Sequence, residues 1–217
     1  MDVIRQDALP ARRESFEDSV HDEIPSLVST KPKLRFKAGK PPFNAPPEIH
    51  TSMERATAEL LASGQAGSAV KAGDRAPKLL LKDQHGNEVS SVGLRAKGPL
   101  VVTVYRGVWC PCCNLELSVI NEVLPKIQSL GANVVANTRE TVLDNQLSFP
   151  VLSDVQNQTE AAFGLRFNLP DQFVEFYKWL RHDLRAFNVD ASWTQPMPAR
   201  YLIRENCVVL YSEVNSD

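Results

Sequence analysis

Short apolar runs, separated by polar turns, follow one another along the chain from about residue 78. The run Lys78–Lys82 predicts a strand, and the polar segment 83–87 predicts a turn that leads back into a second short strand. The run 99–105 is rich in β-branched residues and short enough for a buried central strand. Further strands are predicted at 133–136, as a parallel partner of that run, and in a hairpin of 201–203 with 207–211. The segment 149–152 is expected to form a short strand or a turn.

Apolar residues at helical spacing predict helices between these strands. One helix is expected to begin near Thr51, where the sequence resembles a capping box, and to end by Gly64. A long helix is expected to follow residue 110 and to stop at Gly131, with Pro125 producing a kink inside it. Two later helical segments are predicted at 156–163 and, as an aromatic-rich insert over the sheet, at 171–187.

This order of elements predicts an α/β fold, a thioredoxin-like sandwich with a central mixed sheet flanked by helices. Residues 1–50 contain seven prolines and predict a disordered, flexible N-terminal tail, so the domain is assigned to residues 51–217. Basic residues between 31 and 40 indicate a solvated linker or, alternatively, a docking segment.

Charge and composition narrow the classes of function. The net charge is -2, so the protein has no strong positive field, and we expect neither nucleic acid nor membrane as a partner. No apolar run approaches the roughly 20 residues of a membrane-spanning helix. The first residues carry acids where a signal peptide would be basic, which indicates a soluble, cytoplasmic protein.

The candidate chemistry lies in a cysteine cluster at the junction of the central strand and the long helix. Cys110 and Cys113 form a Cys-x-x-Cys pair at this helix start, where free backbone N–H groups and the helix dipole stabilise a thiolate. Cys112 is a third local thiol whose role stays open, and Cys207 is expected to be structural, in a strand. Because the cluster has no matching second set of ligands, we expect no metal site.

Neighbouring residues complete this candidate site. Trp109 is expected to screen the face of the pair, and Arg106 to add positive charge near the sulfur. Glu116, one turn after Cys113, is a candidate proton relay, although an exposed first-turn acid favoured by the helix dipole explains it more simply.

The segment Tyr-Arg-Gly-Val-Trp-Cys-Pro-Cys-Cys-Asn-Leu-Glu-Leu at 105–117 resembles the peroxiredoxin-like branch of the alkyl hydroperoxide reductase/thiol-specific antioxidant family. Further similar blocks occur at 73–77, 147–154, 162–165 and 192–199. The resemblance implies an antioxidant, peroxiredoxin-type thiol peroxidase with a redox-active disulfide and no cofactor. Its substrate would be hydrogen peroxide or an alkyl hydroperoxide, and its reductant a thioredoxin-like protein or a low-molecular-weight thiol.

Two analogies assign the attacking cysteine differently. The peroxiredoxin signature places the peroxidatic cysteine at Cys113, whereas the thioredoxin motif makes the first cysteine, Cys110, the nucleophile. Pro198 stands where thioredoxins keep a cis-proline and where many peroxiredoxins keep an activating arginine, so that only Arg106 or Arg200 could replace that arginine. We predict Cys113 as the attacking residue and Cys110 as the resolving one.

Departures from the family pattern keep other functions open. Cys112 replaces an aromatic residue, the segment 136–146 is short, and no helix follows the closing hairpin. The alternatives are a protein thiol–disulfide oxidoreductase and a non-catalytic interaction module. Without that helix, apolar surface around 101–105 would be exposed, which predicts a homodimer.

Overall fold

The computed structural model describes residues 47–107, 109–138, 147–154, 157–179, 183–185 and 192–215. Five helices are described: α1 (Pro47–Ala62), α2 (Ser91–Arg95), α3 (Pro111–Ser129), α4 (Gln158–Ala162) and α5 (Asp171–Trp179). The strands of these residues are β1 (Leu80–Asp83), β2 (Glu88–Ser90), β3 (Leu100–Val104), β4 (Asn133–Thr138), β5 (Val151–Ser153), β6 (Arg166–Asn168), β7 (Thr194–Pro196), β8 (Ala199–Ile203) and β9 (Val209–Val214).

A mixed sheet forms the centre of the fold. Its strand order is β2-β1-β5-β4-β3-β8-β9. The central strand β3 pairs in parallel with β4 and antiparallel with β8, and β8 continues antiparallel to β9. The prediction of a central mixed sheet flanked by helices is therefore confirmed.

Alternate residues of β3 supply two separate cores. Val101, and Tyr105 directly after the strand, pack on one face against the apolar side of α3. Val102 and Val104 pack on the other face, in a cluster that includes Tyr177 of α5. Because every side chain of β3 is buried, the exposed apolar surface expected around 101–105 was predicted wrongly. This strand therefore exposes no apolar surface that a second copy of the chain would need to cover, and the predicted homodimer has no support from it.

Several element boundaries differ from the sequence predictions. Helix α1 begins at Pro47 rather than near Thr51, because a proline is well tolerated in the first turn of a helix. Cys207 lies in the turn between β8 and β9, with a positive φ of 75°, and not in a strand. The sequence did not reveal α2 or the small β6–β7 sheet, which are too short to show a hydrophobic period and were not marked by another signal in the prediction.

Other predictions fall partly outside the described residues. The expected tail covers residues 1–50, of which 1–46 are outside them, and the expected insert 171–187 is described as helix α5 in its first half. The described residues contain no helix long and apolar enough to cross a membrane.

Candidate active site

A tight turn carries the chain from β3 into α3. Gly107 adopts a φ of +146°, a region that L side chains rarely occupy, and its carbonyl accepts a hydrogen bond from the Cys110 N–H at 3.0 Å. The indole of Trp109 folds back over Gly107, so that a Cβ at this glycine would lie 2.6 Å from the indole Nε1. Gly107 is thus required both for the backbone conformation and for the close approach of the indole.

The two cysteines of the pair lie at the first turn of α3. Cys110 is the N-cap residue, with extended backbone angles, and Pro111 follows at the start of the helix. The Cys113 thiol donates a hydrogen bond to Cys110 Sγ across a distance of 2.8 Å. Both side chains are buried, with 7% of Cys110 and 3% of Cys113 exposed, and both are free thiols. A disulfide between them requires only a small shift of the sulfurs.

The electrostatics of the pair favour a protonated Cys113. The pKa of the Cys113 thiol is raised well above its ordinary value, first by its hydrogen bond with Cys110, then by burial and by the charge of Cys110. The positive charge of Arg106, and a hydrogen bond from the backbone of Arg106 to the Cys113 sulfur, oppose this shift without cancelling it. Cys113 is therefore the thiol that keeps its proton.

The raised pKa of Cys113 bears on which cysteine attacks and which one resolves. From the sequence we predicted Cys113 as the attacking residue and Cys110 as the resolving one. Cys110 is only slightly more exposed than Cys113, and it is the acceptor of the hydrogen bond between them. Arg106 lies beside the pair, as predicted, and its charge acts on both Cys113 and Tyr177.

Glu116 is not the exposed acid that the sequence favoured. It is half-buried and forms an ion pair with Arg200 of β8, which also binds Glu213 of β9 at 3.1 Å. Tyr211 donates a hydrogen bond to the same Glu213 carboxylate at 3.3 Å. Burial lowers the pKa of the Arg200 guanidinium, opposed by the charges of Glu213 and Tyr211. Arg200 is thus held by two carboxylates, and one of them, that of Glu116, lies one helical turn after Cys113.

Tyr177, which was not among the predicted site residues, also lies near the pair. Tyr177 of α5 contacts the Trp109 ring edge-on, with ring centroids 5.1 Å apart, and donates a hydrogen bond to Gln195 Oε1 at 3.1 Å. Burial raises the pKa of the Tyr177 phenol, with a smaller opposing effect from Arg106. The sequence predicted an aromatic-rich helical insert over the sheet at 171–187, but it could not identify which aromatic ring reaches the cysteine turn.

The remaining candidate residues are Pro198, Cys207 and Cys112. Pro198 precedes β8, and because Ala199 pairs with Val104, it lies at the end of the sheet where β3 enters the cysteine turn. Cys207 lies at the opposite end of β8, where Arg95 donates a hydrogen bond to its sulfur at 2.9 Å. Position 112 lies in α3, but the Cys112 side chain is outside the described part of the structure. Within the described ranges no group of three or more potential metal ligands is arranged to hold a metal ion.

Comparison with curated proteins identifies sequence relatives. A thiol-disulfide oxidoreductase ResA of Geobacillus thermodenitrificans is 33% identical over 115 residues, which are 49% of this chain and 64% of the relative. ResA of Geobacillus kaustophilus is 31% identical over the same shares of both chains. This chain therefore spans somewhat less than two thirds of the length of these relatives.

Solved structures share the fold at low sequence identity. Peroxidoxin BcpB of Mycobacterium tuberculosis is similar with a TM-score of 0.55 and 20% identity, over 68% of this chain and 88% of that one. Peroxiredoxin Q of Xanthomonas campestris is similar with a TM-score of 0.51 and 18% identity, over 66% and 86% of the two chains. The model of the AhpC/TSA family matches residues 72–212, from before β1 into β9. By this match, which covers more than half of the chain, the protein belongs to the AhpC/TSA family.

Proposed function

We propose that the protein is a thiol–disulfide oxidoreductase in which Cys110 attacks the substrate disulfide and Cys113 resolves the mixed disulfide. The observation that carries this proposal is the 2.8 Å hydrogen bond from the Cys113 thiol to Cys110 Sγ. It leaves the proton on Cys113 and the electron pair on Cys110, and only a thiolate attacks a disulfide efficiently.

The reaction follows from this arrangement. The Cys110 thiolate attacks one sulfur of the substrate, forms a mixed disulfide and releases the other substrate sulfur as a thiolate, which takes up a proton. Cys113 then loses its proton and attacks Cys110 Sγ. The Cys110–Cys113 disulfide forms, and the second substrate sulfur leaves and is protonated. Two electrons pass from the pair to the substrate, and a dithiol protein or a low-molecular-weight thiol returns them.

The surrounding residues support the two steps. The charge of Arg106 lowers the pKa of Cys113, so it assists the loss of the Cys113 proton once the mixed disulfide has removed the Cys110 charge. Pro198 stands at the same end of the sheet and is suited to border a bound substrate chain. The names of the curated relatives, thiol-disulfide oxidoreductases, favour the same reaction, although they match only half of this chain.

A peroxidase is the second candidate, because the family model extends over residues 72–212 and the motif at 105–117 resembles peroxiredoxins. In that reaction a cysteine thiolate attacks the O–O bond, becomes a sulfenic acid and releases water or an alcohol. The partner thiol then displaces water to form the disulfide. The raised pKa of Cys113 disfavours this residue as the peroxidatic cysteine, and Arg200, already held by two carboxylates, is poorly suited to polarise a peroxide.

One set of proteins tests both candidates. Cys110→Ser, Cys113→Ser and, as a matched control away from the pair, Cys207→Ser are assayed for insulin disulfide reduction and for peroxide consumption with the same dithiol reductant. We expect the wild type and Cys207→Ser to reduce insulin, Cys110→Ser to be inactive, and Cys113→Ser to accumulate a mixed disulfide. Peroxide turnover without insulin reduction would establish the second candidate instead. A sulfenic acid trapped on Cys113 in Cys110→Ser would return the attacking role to Cys113.

A further inference from the structure

Helix α5 contributes one side chain to the cysteine turn. Tyr177 is 3% exposed, and its ring meets the Trp109 indole at an interplanar angle of 81°, an edge-to-face contact that aromatic pairs prefer. Phe173 and Phe176 of the same helix pack on the ring of Tyr177, at centroid distances of 6.4 and 5.6 Å. The ring of Tyr177 is therefore held among three aromatic neighbours, and it limits where the indole can go.

The indole is in turn fixed to the backbone that presents Cys110. It lies against Gly107 so closely that any side chain there would collide with it. Gly107 also closes the turn by accepting the Cys110 N–H. A displacement of Trp109 would thus move the turn, and with it the sulfur of Cys110.

The hydroxyl of Tyr177 connects this turn to a second segment. It donates to Gln195, which is 3% exposed and lies in β7, three residues before Pro198. Segment 194–198 leads directly into β8 at the cysteine end of the sheet. Tyr177 therefore bridges the two segments between which a substrate disulfide would reach Cys110.

We infer that Tyr177 is a positioning residue, which holds the Cys110 turn at a fixed distance from segment 194–198 through its contact with Trp109 and its hydrogen bond to Gln195. This inference rests on the proposed attack by Cys110 and adds the group that orients it. Misplacement of a reacting atom by about 1 Å can reduce a rate by up to about a hundredfold, so this bridge affects turnover without touching the sulfur.

Tyr177→Phe and Gln195→Leu each remove the bridging hydrogen bond and keep most of the packing. Tyr201→Phe is the matched control, because Tyr201 is equally buried, lies in the middle of β8, and its hydroxyl has no hydrogen-bond partner among the described residues. We expect each bridge variant to lower kcat/KM for insulin reduction roughly tenfold, and the double variant to lose no more than the singles. Alkylation of Cys110 by iodoacetamide should stay within about twofold of wild type, because the bridge does not act on the thiolate itself.

Three results would overturn the inference: additive losses in the double variant, a loss no larger than that of Tyr201→Phe, or an equal loss in alkylation. Failure of the proposed function is recognised separately, by a wild type that does not reduce insulin. In that case the inference is tested by the equilibrium constant for reduction of the Cys110–Cys113 disulfide by dithiothreitol. A shift of about threefold or more in Tyr177→Phe, absent in Tyr201→Phe, supports positioning, and equal values contradict it.

Discussion

At the scale of single residues, the site depends on which thiol keeps its proton. Sequence spacing could place both cysteines at the start of a helix, but it could not assign the proton, because two family analogies predicted opposite nucleophiles. The assignment follows from burial and from the hydrogen bond of Cys113 to Cys110, and both depend on the tertiary fold. Arg106 was predictable because it is near the pair in sequence as well as in space.

The pH dependence of alkylation tests this assignment. In Cys110→Ala the hydrogen bond and the charge that raise the pKa of Cys113 are removed, while burial remains. The midpoint for alkylation of Cys113 should therefore move to lower pH than in wild type. The rates are measured by mass spectrometry, with Cys112 and Cys207 replaced by serine in both proteins. An unchanged or higher midpoint would show that Cys110 does not control Cys113.

At the scale of elements, the unit β3–α3–β4 was predicted correctly, because its apolar positions follow a strand period and then a helix period. Elements α2, β6 and β7 were missed, since three to five residues are too few to show a period. The equally short β2 and β5 were predicted only because a polar turn precedes β2 and an apolar run covers the start of β5. The contact of α3 with β8 through Glu116 and Arg200 was missed for a different reason. These residues are far apart in sequence, and only the antiparallel pairing of β8 with β3 brings them together.

Removing one carboxylate from this ion-pair network should lower the free energy of unfolding less than removing its arginine. Glu116→Gln leaves Arg200 paired with Glu213, so the free energy of unfolding should fall by only about 1 kcal/mol. Arg200→Met leaves two carboxylates near each other with no guanidinium between them, and should cost about 3 kcal/mol or more. Urea unfolding of both variants measures the difference. Arg95→Met is a useful comparison, because this buried arginine contacts a carbonyl and a thiol rather than carboxylates. Equal losses in Glu116→Gln and Arg200→Met would contradict the network.

At the scale of the whole molecule, helices on both faces of the sheet bury each side chain of β3. The sequence predicted this sandwich but wrongly predicted an exposed apolar surface at 101–105, because it could not show how α1 and α5 contribute to the core on one face. The two cores meet at the cysteine end of the sheet, where Trp109 packs against both clusters. The rigidity of the pair is therefore a property of the complete domain and not of the motif alone.

Deep burial of tyrosines in the domain predicts a loss of stability at alkaline pH. Burial raises the pKa of the Tyr201 phenol in the folded state above its unfolded value of about 10. Below pH 10 the phenol is protonated in both the folded and the unfolded state, and its contribution to the free energy of unfolding is fully present. Above pH 10 the unfolded chain releases the proton and the folded chain does not, so unfolding becomes more favourable as the pH rises towards the folded pKa.

Tyr201→Phe removes this titration. Near pH 7 the variant should be somewhat more stable than wild type, because the buried Tyr201 hydroxyl has no hydrogen-bond partner among the described residues and its desolvation is not compensated. Above pH 10 this difference should grow by up to about 1.4 kcal/mol per pH unit. Urea unfolding between pH 7 and 11, with the cysteines kept reduced, measures the difference. Parallel curves for the two proteins would show that Tyr201 ionises as easily in the folded chain as in the unfolded one, and that this part of the core admits water.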